Sequence, residues 1–217
     1  VQHWAEQADG QTLAAGGADF FRALLLKHAH CSEAAAKSSS SSLFSSSNTR
    51  VHPRSAHTGR TLFVSGSLTE SSLDFLSRCR VKGWPVLLMP DELLAGGESG
   101  MACQARWARQ VAQATRRHPK AVMGIGRPLL PGKGTPIRLG NVLIETVKRV
   151  LSAAQPDLVC VEGGATAALL LDRMVWRRLS VEIEYATGVA GARPHRRPEM
   201  LLVCKPGSYS WPEELSG

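Results

Sequence analysis

Pro156-Asp-Leu-Val-Cys-Val-Glu-Gly-Gly-Ala-Thr-Ala-Ala-Leu-Leu-Leu171 joins a short apolar run to two glycines and then to a run of helix formers. Leu158 to Val161 has the uninterrupted apolar, β-branched character of a strand covered on both faces. Gly163-Gly164 lets the chain reverse tightly, and Ala165 to Leu171 favours helix at nearly every position. Such a turn leaves the first helical amides unpaired and pointing outward, which suits a phosphate. Thr166, in the first turn, adds a hydroxyl. A strand-to-helix connection without any ligand carries the same signature, so this stretch decides the fold class and leaves the ligand open.

The flanking sequence repeats the alternation. Leu62 to Val64 reads as a strand, Ser65-Gly66-Ser67 as a turn, and Leu73, Leu76 and Cys79 as the buried stripe of a helix capped by Thr69 or Ser71. Val86 to Met89 is a second strand between prolines, Trp107 to Arg117 a helix, and Ala121 to Gly126 a third strand. Leu139, Val142, Leu143, Thr146, Val147 and Val150 form a helical stripe that leads into the central strand. Downstream, Leu179 to Tyr185 alternates like a half-exposed strand, Ala186 to Gly191 reads as a turn, and Met200 to Lys205 is a last strand ending in Pro206-Gly207. Strands alternating with helices, then strands without a helix between them, specify an α/β fold. Its sheet is mostly parallel or mixed, flanked by helices, with antiparallel additions near the C-terminus.

Residues 32 to 57 differ in kind, with Ser38 to Ser42 and Ser45 to Ser47 flanking Leu43-Phe44. A serine tract buries too little apolar surface to offset its ordering entropy, so 31–58 is expected to be a flexible linker. It separates an N-terminal piece, 1–30, from the main domain, 59–217.

The 217 residues suffice for one good core. A hydrophobic share of 43% with 20% charged residues is that of a globular protein, and no apolar run is long enough to span a membrane. The net charge of +8 is scattered, aromatic content is 6%, and no nucleic-acid motif is present. The charge therefore reads as solvated surface with some attraction for anionic ligands rather than as a nucleic-acid interface. Five cysteines, Cys31, Cys79, Cys103, Cys160 and Cys204, are widely spaced without Cys-x-x-Cys or histidine at metal-ligand spacing. They read as free thiols of a reducing, cytoplasmic compartment, with no metal site expected. No signal peptide is expected either, because the first residues lack a basic region followed by an apolar core.

Gly126-Arg-Pro-Leu-Leu-Pro-Gly-Lys-Gly-Thr135 resembles a phosphate loop only superficially. The Walker spacing needs glycine at Arg127, and Gly134 separates Lys133 from Thr135. Gly-x-Gly-x-x-Gly is absent as well, which removes the main support for a nicotinamide-type Rossmann domain.

Four local signals in order resemble the C-terminal, nucleotide-binding domain of the four-carbon acid sugar kinases, which phosphorylate erythronate, threonate or 3-oxo-tetronate with ATP. They are the strand ending in Gly66-Ser67, then Gly163-Gly164-Ala165-Thr166, then Ile183-Glu-Tyr-Ala-Thr-Gly188-Val189, and Leu202-Val-Cys-Lys205-Pro-Gly207. Thr12 to Leu26 is similar to the segment that closes the family's substrate-binding domain. The resemblance implies nucleotide contacts at Ser67, Gly163, Gly164, Ala165, Thr166, Gly188, Lys205 and Gly207, with ATP and Mg2+ as cofactors and a sugar acid held by a separate N-terminal domain. The sequence departs from the pattern at Ala165, where the family has an acidic residue, at Thr187, in place of proline, and at Ser210, in place of glycine. The family's Asp-Asp-x-Thr-Gly substrate domain is absent from this chain.

Phosphoryl transfer needs a phosphate cradle, countercharge, and a carboxylate to orient the attacking hydroxyl. The glycine turns offer the first, and Lys205 either supplies the second or is a solvated strand-end lysine. Gly188 and Gly207 either meet a ligand or supply positive φ. Glu162 caps or bridges locally, and no catalytic base is assigned. Two readings follow. One is the ATP-binding half of a sugar-acid kinase, inactive alone, in which a homo-oligomer has a place. The other is a non-catalytic interaction or regulatory module that keeps the fold.

Overall fold

The computed structural model describes residues 59–95, 100–126 and 135–217, all within the unit Val51–Gly217. The N-terminal piece, the serine linker and most of the Gly126 to Thr135 loop lie outside the described residues. The elements run β1 (Thr61–Ser65), α1 (Glu70–Val81), β2 (Val86–Leu88), α2 (Asp91–Ala95), α3 (Gly100–Arg117), β3 (Lys120–Gly124), α4 (Thr135–Ala154), β4 (Leu158–Glu162), α5 (Gly164–Arg173), β5 (Leu179–Ala186), β6 (Val189–Pro194), β7 (Leu201–Lys205) and α6 (Glu213–Ser216).

They build one seven-stranded sheet in the order β2-β3-β1-β4-β7-β6-β5. The five strands from β2 to β7 pair in parallel, and β6 pairs antiparallel with both β7 and β5. The expected mixed α/β class is what forms. The turn expected over Ala186 to Gly191 is shorter, because Val189 already belongs to β6. That strand, Val-Ala-Gly-Ala-Arg-Pro, escapes sequence reading because alanine, glycine and proline have weak strand preference, and its pairing with β7 is what holds it.

Alternation divides the core in two. Leu62, Val64, Val159, Val161 and Leu202 point into the cluster that contains Cys103, Trp107 and Val111 of α3, Leu139, Leu143 and Val147 of α4, and Leu170 of α5. The intervening Phe63, Cys160 and Val203 point to the other side, against Phe75, Leu76 and Cys79 of α1 and against Trp211 and Leu215. The central strands are buried on both faces, as their unbroken apolar runs require. Helix α3 begins at Gly100 rather than Trp107, since Cys103 extends the buried stripe through Trp107 and Val111 by one turn.

Aromatic packing fastens the C-terminal segment to the second face. Phe63 stacks on Trp84 at 5.6 Å and meets Trp211 edge-on at 5.4 Å and Phe75 at 5.2 Å. Lysines complete the attachment: Lys82 Nζ donates to Ser216 O at 2.5 Å, and Lys120 Nζ to Leu215 O at 3.0 Å and Gly217 O at 2.7 Å. Both ammonium groups lie over the Trp84 ring.

Trp211 is only 5% exposed at the centre of this attachment. Trp211→Ala is expected to cost about 3–5 kcal/mol, the range for emptying an aromatic core position. Urea unfolding followed by far-UV circular dichroism measures the loss.

Candidate functional site

Strands β1, β4 and β7 lie side by side and end together. Ser65, Glu162 and Lys205 are in register, and each is followed within two residues by glycine: Gly66, Gly163 and Gly207. Parallel strands that end in step bring their exit turns to the carboxyl edge of the sheet, where ligands of open α/β folds bind.

The last residue of each strand points to the α1 face and is buried. Glu162 and Lys205 form an ion pair with side chains only 1% exposed. Ser65 Oγ donates to Glu162 Oε2 at 2.6 Å. Lys205 Nζ donates to Glu162 Oε1, to Pro206 O at 3.1 Å and to Tyr209 O at 2.5 Å, and lies 5.2 Å from the centre of the Trp211 ring. An ammonium carries three donors. All three of Lys205 are engaged within the protein, so it is neither the solvated strand-end lysine weighed above nor a cation with a proton free for a phosphate. What it does is hold the turn that carries Gly207 against the end of β4, a contact doubled by Gly163 N donating to Lys205 O at 2.9 Å.

The turns also touch directly. A Cβ at Gly66 would lie 2.1 Å from Thr166 Oγ1, and one at Gly207 would lie 2.6 Å from Ser67 Oγ, so a side chain at either position would displace the hydroxyl side chain packed on it. Thr69 Oγ1 donates to Gly207 O at 2.9 Å and exchanges hydrogen bonds with Ser67 and Ser72. Its hydroxyl is thereby spent between loops. Thr69 occupies the N-cap position of α1 without capping it. Helix α5 is likewise uncapped by any side chain, its N-cap being Gly163 with φ of 100°. Two helix N-termini with unsatisfied amides thus face the same edge.

Of the residues expected here, Ser67, Gly163, Thr166 and Gly207 converge, and Gly164 and Ala165 lie exposed on the first turn of α5. The tight reversal belongs to Gly163 alone. Gly164 has no positive φ, and a Cβ there would meet nothing within 4 Å. Gly188 stands at the β5–β6 hairpin with φ of 78°, its α-carbon covered by the Tyr209 ring. It joins the edge through the Pro206 to Tyr209 loop. The bridging expected of Glu162 is not local: it joins Ser65 and Lys205, 97 and 43 positions away, and the role of Tyr209 is not apparent in the sequence.

Carboxylates and thiols supply little further chemistry. Among the described residues no cluster of three or more His, Cys, Asp or Glu side chains could hold a metal ion. Burial pushes the Cys79 and Cys204 thiols up to about 11 and that of Cys160 well above its ordinary value, leaving them protonated near neutrality. A depression of about 650 Å³ lies between α3 and α4, lined by Ala108, Ala112, Arg109, Arg116 and Arg149 among others. It is on the flank of the helical layer and shares no residue with the glycine turns, so we place the site at the edge, on the strength of its amides and close approaches.

No family model and no curated protein matches the chain. Solved structures do. A domain of unknown function (DUF1537) from Bordetella bronchiseptica, crystallised with bound citrate as a domain-swapped dimer, superposes with a TM-score of 0.58 at 17% identity, covering 72% of this chain and 39% of that one. A Haemophilus influenzae protein of the same DUF1537 family gives 0.55 at 13% identity, over 75% and 42%. The likeness is one of fold, and the chain spans about two fifths of the length of these structures.

Lys205→Met leaves the Glu162 carboxylate buried without its cation and is expected to cost about 3–5 kcal/mol, whereas Glu162→Gln/Lys205→Met, which removes both charges, loses less. Denaturant unfolding of the two variants gives the comparison. Alkylation by iodoacetamide at pH 8, read by mass spectrometry, is expected to spare Cys79, Cys160 and Cys204 in the folded protein and modify them after denaturation.

Proposed function

We infer that the edge formed by Gly66-Ser67, Gly163 to Thr166 and Gly207 binds the phosphates of ATP, and that the chain is the nucleotide half of a kinase acting on a four-carbon sugar acid, threonate, erythronate or 3-oxo-tetronate. The observation that carries this reading is the meeting, at the ends of three in-register parallel strands, of two side-chain-uncapped helix N-termini with glycines on which the Thr166 and Ser67 hydroxyls pack closely. Such an edge offers oriented amides at close range to an anion. Thr166 adds an oxygen that donates no hydrogen bond among the described residues, while Ser67 and Thr69 fix the loop that flanks it.

ATP, when bound, would supply the phosphoryl group, and Mg2+ would screen its phosphate charge; among the described residues no carboxylate cluster would hold that ion. The chain's own contribution is to bind and orient. Lys205 positions the Gly207 turn and does not touch phosphate. A separate domain holds the sugar acid, consistent with the two fifths of the neighbours' length that the chain spans.

One observation favours the second reading, an interaction module that retains the fold. Glu162, the carboxylate at the centre of the edge, is 1% exposed and bonded to both Ser65 and Lys205, so it is not placed to act as a base. The isolated chain is therefore expected not to phosphorylate threonate or erythronate above its background of ATP hydrolysis.

Titration calorimetry with ATP and ADP separates the readings. Wild type is expected to bind. Gly164→Val fills the open space over the first turn of α5 without straining the fold and is expected to abolish binding, with circular dichroism unchanged. Thr166→Val is expected to weaken it by about 0.5–1.5 kcal/mol, the worth of one hydrogen bond. A folded wild type that takes no adenine nucleotide at millimolar concentration defeats the nucleotide reading and leaves the interaction module.

A further inference from the structure

Helix α3 carries Arg106, Arg109, Arg116 and Arg117 and no carboxylate. The one carboxylate of α4, Glu145, pairs with Arg173 of α5 at 3.9 Å. Between α3 and α4 lies the depression of about 650 Å³, whose lining includes Arg109, Arg116 and Arg117 from α3 and Arg149 from α4, with no acidic residue. That volume falls in the range of small-molecule sites. Its floor is made of short side chains: Ala108 and Ala112 are 5% and 2% exposed, and their methyl groups leave open the room that longer side chains would fill.

Two of these arginines have an ordinary structural role. Arg116 and Arg117 stand in the last turn of α3, where cations complement the helix dipole, and Arg116 donates to Ala153 O of α4 at 3.1 Å. Arg109 and Arg149 have no such role. Arg109 lies about two turns before the end of α3, and Arg149 more than a turn before the end of α4, beyond the reach of either terminus. Neither makes a hydrogen bond or an ion pair among the described residues. Four guanidinium groups around one cavity repel one another, and since arginine does not give up its proton, titration never relieves that repulsion. Water and salt screen part of it, and an anion in the groove turns it into attraction.

The number and spacing of the charges select the ligand. A single carboxylate answers one arginine fork, whereas linked phosphoryl groups gather several negative charges and many acceptor oxygens in a body small enough for the groove. Arg109 and Arg116 are seven residues apart, roughly 10 Å along α3, so together they call for oxygens on more than one phosphoryl group. We propose that the groove between α3 and α4 is an anion site, separate from the glycine edge, whose ligand is a small polyphosphate held by Arg109, Arg116, Arg117 and Arg149. The site stands independently of the nucleotide reading, since the groove shares no residue with the glycine turns.

Inorganic tripolyphosphate is the probe, and full-length Gly164→Val, in which the glycine edge is filled, is the background that isolates the groove. Calorimetry is expected to show tripolyphosphate bound to this variant, and adding Arg109→Gln/Arg149→Gln is expected to weaken that binding by about tenfold or more. Both replaced residues are exposed and without partners among the described residues, and glutamine sustains a helix, so circular dichroism is expected to stay unchanged. Labelling of arginines with phenylglyoxal, read by mass spectrometry, locates the ligand. Tripolyphosphate is expected to protect Arg109 and Arg149 and to leave Arg80 reactive, since Arg80 belongs to α1, on the opposite face of the sheet. No binding to Gly164→Val at millimolar tripolyphosphate, an affinity indifferent to the double substitution, protection of Arg80 equal to that of the groove, or equal protection of the groove by the tricarboxylate tricarballylate overturns the proposal.

Discussion

A buried ammonium bound to a buried carboxylate governs this molecule's central sheet. Lys205 and Glu162 meet at the ends of adjacent parallel strands, with Ser65 on the second carboxylate oxygen and the carbonyls of Pro206 and Tyr209 taking the remaining lysine protons. Taking both charges out of water is costly, and hydrophobic residues of similar volume would stabilise a core as well or better. What the pair contributes is register. A slip of β7 by two residues would set Lys205 beyond the end of β4 and leave Glu162 opposite an aliphatic side chain, with a charge that neither water nor protein satisfies. The same pair fixes the distance between the Gly163 and Gly207 turns, so the shape of the carboxyl edge follows from an interaction buried beneath it.

Much of this fold is written in local sequence because its central strands are covered on both sides. Val159 to Val161 and Leu201 to Val203 must be apolar throughout, and glycines must follow where the chain turns into helices. The site is legible to the extent that its turns favour glycine: Gly66 and Gly207 by the hydroxyl side chains packed on them, and Gly163 by its φ. Other features depend on partners distant in the chain. Lys205 looks like a strand-end cation until Glu162, Pro206 and Tyr209 surround it. Gly164 looks like half of a required pair, yet its neighbourhood is open. Strand β6 has no strand signature of its own and exists because β7 and β5 offer it hydrogen bonds on both sides.

The basic balance of the chain acquires a specific meaning in this light. Lys82, Lys120 and Lys205 direct their ammonium groups at backbone carbonyls of the C-terminal segment and at the faces of Trp84 and Trp211. Part of the positive charge is thus consumed in tying down 206–217, which covers the face opposite α3, α4 and α5. At the glycine edge the polar groups are instead backbone amides at helix N-termini, whose dipoles do not vary with the titration of any side chain.

The in-register row Ser65, Glu162 and Lys205 also orders events as the chain is made. Ser65 waits for a partner that follows it by 97 positions, and Glu162 for one that follows by a further 43. Strand β4 therefore leaves the ribosome well before the lysine that neutralises it, with its carboxylate facing an unfinished core. Contacts of such long range form late and slowly. Until β7 arrives, the edge of β4 is an open template beside a charge that resists burial, and that charge discourages β4 from recruiting a foreign strand in the interval.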